Sequence, residues 1–305
     1  FIITGASSPV ITHRDDIDTS YFFHHCPTTD DYGESTLLFV EEVVSPEIYL
    51  KFNLPADRKL RLGVIYQDSK YGEGVYTGIV KAIEENDLNM EVVAAEKFTM
   101  SETDFRTALT LLKDAKPDVV YAAAFLNEQT PIVTQGRRDV GLNSIYLSVE
   151  CNDDPDYYAG VGQWGEYSIQ ESRFGPYAVP SGSIRDSIVK FRDDFEAKFG
   201  SPPSMMGAST YEGVYIATKA IENVGNLDKT NVRDELAGIE MPEIIEAMQG
   251  GVIKFSSDYR EGKFQLYMQQ LIFNDSLGET RPVIVWPDNL KESEFILPDW
   301  YEPGL

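Results

Sequence analysis

Between residues 60 and 149 the sequence alternates short apolar runs with longer amphipathic stretches. The apolar runs are typical of buried strands, and each amphipathic stretch places its apolar side chains on one helical face. Strands and helices connected in this order build a parallel sheet that is covered by helices. The predicted strands span residues 60–66, 91–98, 118–125 and 144–149, and the predicted helices span residues 71–85 and 103–113.

After residue 175 the pattern changes to helices in succession, followed by strands. Apolar side chains recur at helical spacing in the two longer segments, and hydroxyl side chains stand where helix N-caps are expected. The predicted helices span residues 183–199 and 205–224, with a third after Thr230, and the predicted strands span residues 251–255, 264–273 and 282–286. The predicted N-caps are Ser181 or Ser183 and Thr230, and the second helix is predicted to bury Val214, Tyr215 and Ile221.

Length and charge limit the classes of protein to which this chain can belong. Its 305 residues are more than one hydrophobic core usually supports, so we expect two lobes. The formal net charge is −24, and a surface this acidic repels phosphate backbones and anionic headgroups. We therefore expect no nucleic acid partner. The longest apolar run, near residues 119–126, is far shorter than the ~20 residues that cross a bilayer.

One glycine motif resembles a cofactor-binding turn. Residues 160–165 (GVGQWG) match the glycine spacing of dinucleotide-binding turns, which require a strand before them and a helix after them. Here an acidic stretch precedes the motif and a predicted strand at residues 166–171 follows it, so a loop is the better interpretation. The sequence also lacks the usual motifs of phosphate-binding loops and nucleophile elbows. We predict that the protein is not an enzyme and binds no cofactor.

The candidate metal ligands are equally weak. His24, His25 and Cys26 are adjacent, and adjacent side chains of an extended segment point to opposite sides. The acidic residues at 152–156 lack the spacing of a calcium loop, and we expect them to be solvated. We therefore predict no metal site. Whether Cys26 and Cys151 pair or remain free thiols is left open by two cysteines alone.

Other segments carry a resemblance to a known family. Residues 3–12 (ITGASSPVIT) combine small and hydroxyl residues with a following proline, residues 68–74 read DSKYGEG, and DF at 104–105 is followed by KPDVVY at 116–121. With VIVWP at 283–287 and PDW at 298–300, these segments make the chain resemble the leucine/isoleucine/valine-binding proteins, the periplasmic solute-binding components of ABC transporters. The likeness covers nearly the whole chain, and DSKYGEG is its most specific part.

This resemblance implies an α/β architecture of two lobes, each with a doubly wound parallel sheet, which is the type I periplasmic-binding-protein fold. Three hinge crossings are expected near residues 26–31, 169–176 and 260–268. The N-terminal lobe would comprise residues 1–30 and 175–262, and the C-terminal lobe residues 31–174 and 263–305. Because members of the family carry further strand and helix units before the small-residue turn, we expect the N-terminal lobe to be incomplete.

The resemblance also implies a ligand site between the lobes. The small-residue turn would bind the carboxylate of an amino acid, aided by the positive end of a following helix, and an acidic residue would pair with its ammonium. Two aromatic residues and a methionine would pack on the rest of the ligand. The implied site residues are Gly5, Ala6, Ser7, Glu150, Tyr71, Phe125 and Met206. Each residue also has an alternative role that stays open. The turn could be an ordinary helix cap, Glu150 a solvated acid, and the two aromatic residues and Met206 core side chains. For Met206 core packing is favoured.

Together these inferences predict a solute-binding protein of an ABC transporter, located in the periplasm or outside the cell, with a lipid anchor as one alternative. It would act as a monomer, close around an amino acid with a branched-chain or other apolar side chain, and deliver it to a membrane permease. Two alternatives stay open. The ligand could be a small carboxylate, including an aromatic one, or an amide, and the same fold could serve as a sensor ectodomain.

Overall fold

The computed structural model describes residues 1–305, and eleven strands and nine α-helices make up the fold. The strands are β1 (Ile2–Ile3), β2 (Phe23–His24), β3 (Leu60–Gln67), β4 (Met90–Phe98), β5 (Val119–Ala123), β6 (Ile145–Ser148), β7 (Ile169–Ser172), β8 (Met241–Pro242), β9 (Val252–Ile253), β10 (Tyr267–Asn274) and β11 (Glu279–Trp286). The helices are α1 (Thr29–Phe39), α2 (Ser45–Phe52), α3 (Lys70–Glu85), α4 (Arg106–Asp114), α5 (Leu126–Gln135), α6 (Pro155–Val161), α7 (Arg185–Phe199), α8 (Met205–Val224) and α9 (Lys229–Gly238).

A seven-stranded sheet forms the larger part of the molecule, in the order β11-β10-β7-β6-β5-β3-β4. The five strands from β3 to β7 run parallel, whereas β10 is antiparallel to both of its neighbours. Every residue of β5 is buried, because helices cover both faces of the sheet. The predicted parallel sheet with covering helices is confirmed, with an antiparallel edge added to it.

The smaller part of the molecule contains helices α7, α8 and α9 and only two-residue strand pairs. Strand β1 pairs in parallel with β2, and β8 pairs antiparallel with β9. A separate apolar core, in which Phe23, Ile216 and Leu236 are buried, joins these elements. The chain passes between the two parts before α1, after β7 and before β10. Movement at these crossings and the predicted lobe boundaries stay predictions.

The buried face of α8 differs from the predicted one. Val214 and Tyr215 were expected in the core, but they are 63% and 47% exposed. The helix instead buries its opposite face, which includes the polar residues Ser209 and Glu212. The spacing of apolar residues predicts the wrong buried face here. The polar side chains that point inward form hydrogen bonds with residues that are distant in sequence, and no local pattern reveals those partners.

The predicted N-caps are wrong for two helices. Helix α9 is capped by Asp228, whose carboxylate accepts hydrogen bonds from the Thr230 and Asn231 N–H groups, so Thr230 lies inside the helix. Helix α7 has no side-chain cap. The hydroxyl of Ser181 donates to Asn289 and that of Ser183 to Glu243, so tertiary contacts take both candidate caps.

Several predicted strands are shorter in the structure, because hydrogen-bonded ladders end where a neighbouring strand ends. The predicted strand 264–273 begins at Tyr267, the strand 118–125 ends at Ala123, and the strand 251–255 has only two ladder residues. The glycine motif at 160–165 is not a loop: Gly160 lies in α6 and Gly162–Gly165 forms a 3₁₀ turn. The motif therefore begins inside a helix and not after a strand, which is the wrong context for dinucleotide binding. No helix has both the length and the apolar character needed to span a bilayer.

Candidate functional site

A cleft of about 250 Å³ lies between the turn after β1 and the carboxyl edge of the large sheet. The parallel strands β3, β5 and β6 all end at this edge, which is where α/β sheets generally present ligands. Six of the seven predicted site residues line the cleft, and only Met206 does not. The lining residues are Gly5, Ala6, Ser7, Ser8, Tyr32, Tyr71, Phe125, Glu150 and Cys151.

The turn formed by Gly5, Ala6 and Ser7 provides one wall. Two of its carbonyl groups are engaged, since the Ala6 oxygen lies 2.7 Å from His24 Nε2 and the Ser7 oxygen accepts the Thr29 N–H at 3.0 Å. The N–H groups of all three residues donate to no protein acceptor. Only a three-residue 3₁₀ helix, Pro9–Ile11, follows the turn, so the expected contribution of a helix dipole is wrong. The turn therefore offers individual hydrogen-bond donors.

An aromatic pair forms the second wall. Tyr71 lies in the first turn of α3 and Phe125 is the N-cap residue of α5, and their rings stack with centroids 4.8 Å apart. Helix α3 starts close to β3: a Cβ at Gly72 would lie only 2.1 Å from the Gln67 carbonyl oxygen, so no larger residue fits there. Glycine at this position thus lets Tyr71 reach the cleft. Phe125 follows strand β5 and does not belong to it as predicted.

Glu150 provides the charged group of the cleft and is only 2% exposed. Tyr32 donates a hydrogen bond to its carboxylate at 2.6 Å, and Arg173 Nη1 lies 3.0 Å from Glu150 Oε2. Burial raises the pKa of Glu150, although Arg173 and Tyr32 act in the opposite direction. The carboxylate is therefore held in a fixed position at the cleft wall, and it is not the solvated acid of the alternative interpretation.

Comparison with known proteins identifies the family. The family model described as periplasmic binding protein matches residues 2–276. The chain belongs to the periplasmic binding protein family. A curated relative, the leucine-, isoleucine-, valine-, threonine- and alanine-binding protein of Pseudomonas aeruginosa, is 24% identical over 69% of this chain. This periplasmic binding protein spans 60 to 67% of the length of the curated relatives compared here, 60% in the case of the Pseudomonas aeruginosa protein.

Solved structures show the same fold. The closed form of a leucine-, isoleucine-, valine-, threonine- and alanine-binding protein from Brucella ovis matches with a TM-score of 0.74 at 18% identity, covering 97% of this chain and 71% of that one. An ABC transporter solute-binding protein from R. palustris, in complex with benzoate, matches with a TM-score of 0.70 at 15% identity, covering 95% of this chain and 72% of that one. The predicted type I periplasmic-binding-protein fold is confirmed.

Met206 takes a position in this periplasmic binding protein that the sequence did not predict. It is 38% exposed, so it does not belong to the core. A Cβ built at Gly5 would lie 2.3 Å from the Met206 side chain. Met206 therefore packs behind the Gly5 turn and outside the lining of the cleft. A larger substituent at Gly5 would displace it.

Four residues at the site were missed by sequence reasoning. Ser8, Tyr32 and Cys151 line the cleft, and Arg173 contacts the carboxylate of Glu150. The signal for Cys151 was its place beside Glu150, after a strand that ends at the ligand edge. The signal for Arg173 was an arginine directly after the buried strand β7, at a predicted crossing. Cys26 and Cys151 are both free thiols, so they do not pair.

A buried group of charged residues extends from the cleft into the smaller part of the molecule. His25 Nε2 lies 2.8 Å from Glu212 Oε2 and 3.3 Å from Glu246 Oε2, and all three side chains are fully buried. Burial alone would lower the pKa of His25, but the hydrogen bonds to Glu212 and Glu246 raise it to about 9. His25 thus bridges the two carboxylates, and one ligand atom from each of the three residues lies within 4.8 Å of the others, so the group has the composition and spacing of a metal site. The absence of a metal site stays a prediction.

The acidic stretch at residues 152–156 is not simply solvated. Asp153 is fully buried, and its carboxylate accepts hydrogen bonds from Tyr158, Ser172 and Gln269. Asp154 caps helix α6. Because these oxygens are occupied by protein donors, the stretch contributes to the packing beneath the cleft.

A larger groove of about 770 Å³ separates α7 from α8 and is lined by exposed aromatic residues, among them Phe199 and Tyr211. It lies within the smaller part of the molecule and away from the carboxyl edge of the sheet. Its only charged side chains are Lys190, Asp194 and Lys198, and they lie on one helix. The cleft at Glu150, which combines donors, a buried carboxylate and an aromatic wall, is the better candidate site.

Proposed function

We propose that this chain binds an α-amino acid with an apolar side chain in the cleft at Glu150, as a solute-binding protein of an ABC transporter. One observation carries the proposal. A single cleft is lined by a turn with three unused N–H donors, by a buried carboxylate and by a stacked aromatic pair. Those three features match the carboxylate, the ammonium and the apolar side chain of such a ligand.

The chemistry of each wall supports this pairing. Backbone N–H groups bind a carboxylate through charge-assisted hydrogen bonds, each worth about 1.5–3 kcal/mol. Glu150 is held by Tyr32 and Arg173, so its carboxylate is oriented before the ligand arrives. The rings of Tyr71 and Phe125 offer an apolar surface, and the Tyr71 hydroxyl already has a partner in Cys151 Sγ at 3.5 Å. A cleft of about 250 Å³ is of a size suited to a small molecule.

A small carboxylate without an amine is the second candidate ligand. Glu150 already has a cationic partner in Arg173, so the cleft does not strictly require a ligand ammonium. The stacked Tyr71 and Phe125 rings suit an aromatic acid equally well. The R. palustris protein that shares this fold was crystallised with benzoate. This alternative keeps the turn at Gly5–Ser7 as the carboxylate site.

In the proposed role the protein works outside the cytoplasmic membrane, in the periplasm or at the cell surface. Closure of two lobes around the ligand would create the surface that a permease recognises, because loaded and empty forms would then differ in shape. We expect a monomer that carries out no chemical reaction. Attachment through a lipid anchor stays a prediction.

A thermal-shift screen tests the proposal. We expect L-leucine, L-isoleucine or L-valine to raise the melting temperature by several degrees at a hundred times the dissociation constant, because a ligand that binds only the folded state stabilises it. The panel should include benzoate, 4-methylpentanoate and acetamide, so that each alternative ligand class is represented. Stabilisation by benzoate alone would select the second candidate. If no compound moves the melting temperature at millimolar concentration, the binding proposal fails.

Replacing Tyr71 with alanine should weaken binding about tenfold. The substitution removes half of the aromatic wall, and burial of apolar surface contributes roughly 25 cal/mol per Å². Because no charge is lost, the effect should be similar for leucine and for 4-methylpentanoate, as measured by titration calorimetry. Tyr76→Ala is a matched control, since Tyr76 stacks on Tyr66 at 4.9 Å and does not line the cleft. Equal losses in both variants would show that Tyr71 does not contact the ligand.

A further inference from the structure

Arg173 is the most heavily engaged side chain next to the cleft. It directly follows strand β7, where the chain leaves the large sheet, and it is fully buried. Its guanidinium packs over the ring of Phe264, with Cζ 4.8 Å from the ring centroid. Burying a guanidinium costs several kcal/mol unless it is well paired. The partners of Arg173 therefore indicate what a buried arginine does at this position.

The contacts of Arg173 reach both walls of the cleft. Nη1 approaches the Glu150 carboxylate at 3.0 Å, on the side of the large sheet. Nη2 donates to the carbonyl oxygen of Thr4 at 3.1 Å, directly before the Gly5–Ser7 turn. The planar guanidinium of Arg173 therefore fixes Glu150, the proposed partner of the ligand ammonium, relative to the turn whose N–H groups are proposed to bind the ligand carboxylate. Lysine cannot do this, because its donors lie on a single nitrogen atom.

The remaining contacts anchor the fork in the smaller part of the molecule. Nη2 also donates to the Ser209 hydroxyl on α8 at 2.6 Å, and Nε donates to Glu246 at 2.7 Å. Glu246 is in turn bridged to Glu212 by His25. Arg173 thus connects elements on both sides of the crossing through hydrogen bonds that are shielded from water.

The charges of this group leave a place for a cation at Glu150. Three buried carboxylates, those of Glu150, Glu212 and Glu246, face only two buried cations, Arg173 and His25. Arg173 is shared between Glu150 and Glu246, so it does not neutralise both. The carboxylate at the cleft can therefore accept a second positive partner. Without Arg173 no cation would oppose the burial of Glu150, and burial favours the neutral form of a carboxylate, which binds an ammonium less strongly.

We propose that Arg173 is a positioning residue that determines the preference of the cleft for ligands with an ammonium group, by holding Glu150 ionised and fixed against the Thr4 to Ser7 turn. This inference rests on the proposed function, since it concerns the same cleft. It adds a residue that touches no ligand itself. Because Arg173 lies at the crossing after β7, this crossing would also set the distance between the groups that bind the ammonium and the carboxylate of the ligand.

The test compares Arg173→Met with Arg173→Lys in the full chain, using L-leucine and 4-methylpentanoate, which is leucine without its amine. We expect Arg173→Met to lower the affinity for leucine about tenfold and that for the analogue only about threefold. Arg173→Lys should recover part of the leucine preference, because it restores a positive charge beside Glu150. Arg137→Met is the control: Arg137 is another arginine with buried guanidinium atoms, it donates to the carbonyl oxygens of Trp164 and Glu166, and none of these residues lines the cleft.

A second measurement without ligand separates the two proposals. The His25 N–H donates to the Ile3 carbonyl oxygen, next to the residue that Arg173 holds. We expect Arg173→Met, and not Arg137→Met, to speed hydrogen–deuterium exchange in peptides that cover residues 22–26. If the wild-type protein binds neither compound but exchange responds, the ligand assignment fails while the positioning role of Arg173 stands. Equal losses for both ligands, or unchanged exchange, would overturn the inference about Arg173.

Discussion

Replacing Glu150 with glutamine is expected to weaken the binding of an α-amino acid about thirtyfold, a loss of about 2 kcal/mol. The substitution keeps the size of the side chain but removes the negative charge in a cleft where that residue is 2% exposed. A buried ligand ammonium would then lose its counter-charge, which is costly in a region of low dielectric constant. Titration calorimetry with L-leucine and with 4-methylpentanoate gives the readout, because only leucine carries the ammonium.

A matched control distinguishes this effect from general damage by the loss of a buried carboxylate. Glu171 is also fully buried, and its carboxylate accepts hydrogen bonds from the Ser35 and Thr36 hydroxyls, but it does not line the cleft. Glu171→Gln should leave the affinity for leucine within about threefold of the parent. If Glu150→Gln binds leucine as tightly as the parent does, the ligand is not held by an ammonium. A small carboxylate then becomes the better assignment.

Raising the pH from 6.5 through 9 is expected to lower the free energy of unfolding by on the order of 3 kcal/mol through His25 alone. Its pKa is raised to about 9 in the folded protein, because hydrogen bonds to Glu212 and Glu246 outweigh burial. In the unfolded chain the pKa of histidine is near 6.5. Below that pH His25 is protonated in both states and the stabilisation is complete. It is lost as the pH rises through the folded value, since only the folded state then holds the proton.

Urea unfolding at several pH values measures this loss, and His25→Gln is the comparison. The variant should be less stable throughout, because two buried carboxylates lose their cation, but its stability should fall less steeply between pH 6.5 and 9. Burial also raises the pKa of Cys26 and Cys151, which adds to the slope near pH 9 in both proteins alike. The difference between the two slopes therefore isolates His25. Equal slopes would mean that His25 is neutral in the folded protein.

The elements that were predicted well are those in which the local pattern of apolar residues agrees with the face that is buried. Strand β5 consists of apolar residues because both faces of the sheet are covered, and α4 buries Leu109 and Leu112 on one face. Helices α1, α2 and α5 were not predicted, and α5 contains Pro131. Proline is normally a reason to end a helix. Where local preference and tertiary packing disagree, the packing of the whole molecule decides.

The candidate site likewise has a part that the sequence predicts and a part that it does not. Order along the chain placed Tyr71, Phe125 and Glu150 after parallel strands, and such strands end at one edge of a sheet, so their meeting in one cleft could be predicted. The partners of Glu150 could not. Tyr32 is 118 residues away in sequence and Arg173 is 23, and no periodicity records which buried charges will face each other.

The α/β class, the family and the edge of the sheet where the cleft lies could all be inferred from the order of segments and from local motifs. The folded molecule was needed to see that α8 turns Ser209 and Glu212 inward, that His25 bridges two carboxylates, and that Arg173 contacts both Glu150 and the carbonyl group before the Gly5–Ser7 turn. The reason is physical. A buried charge is tolerated only where distant parts of the chain supply its partners, and that requirement is met in three dimensions and leaves no local pattern.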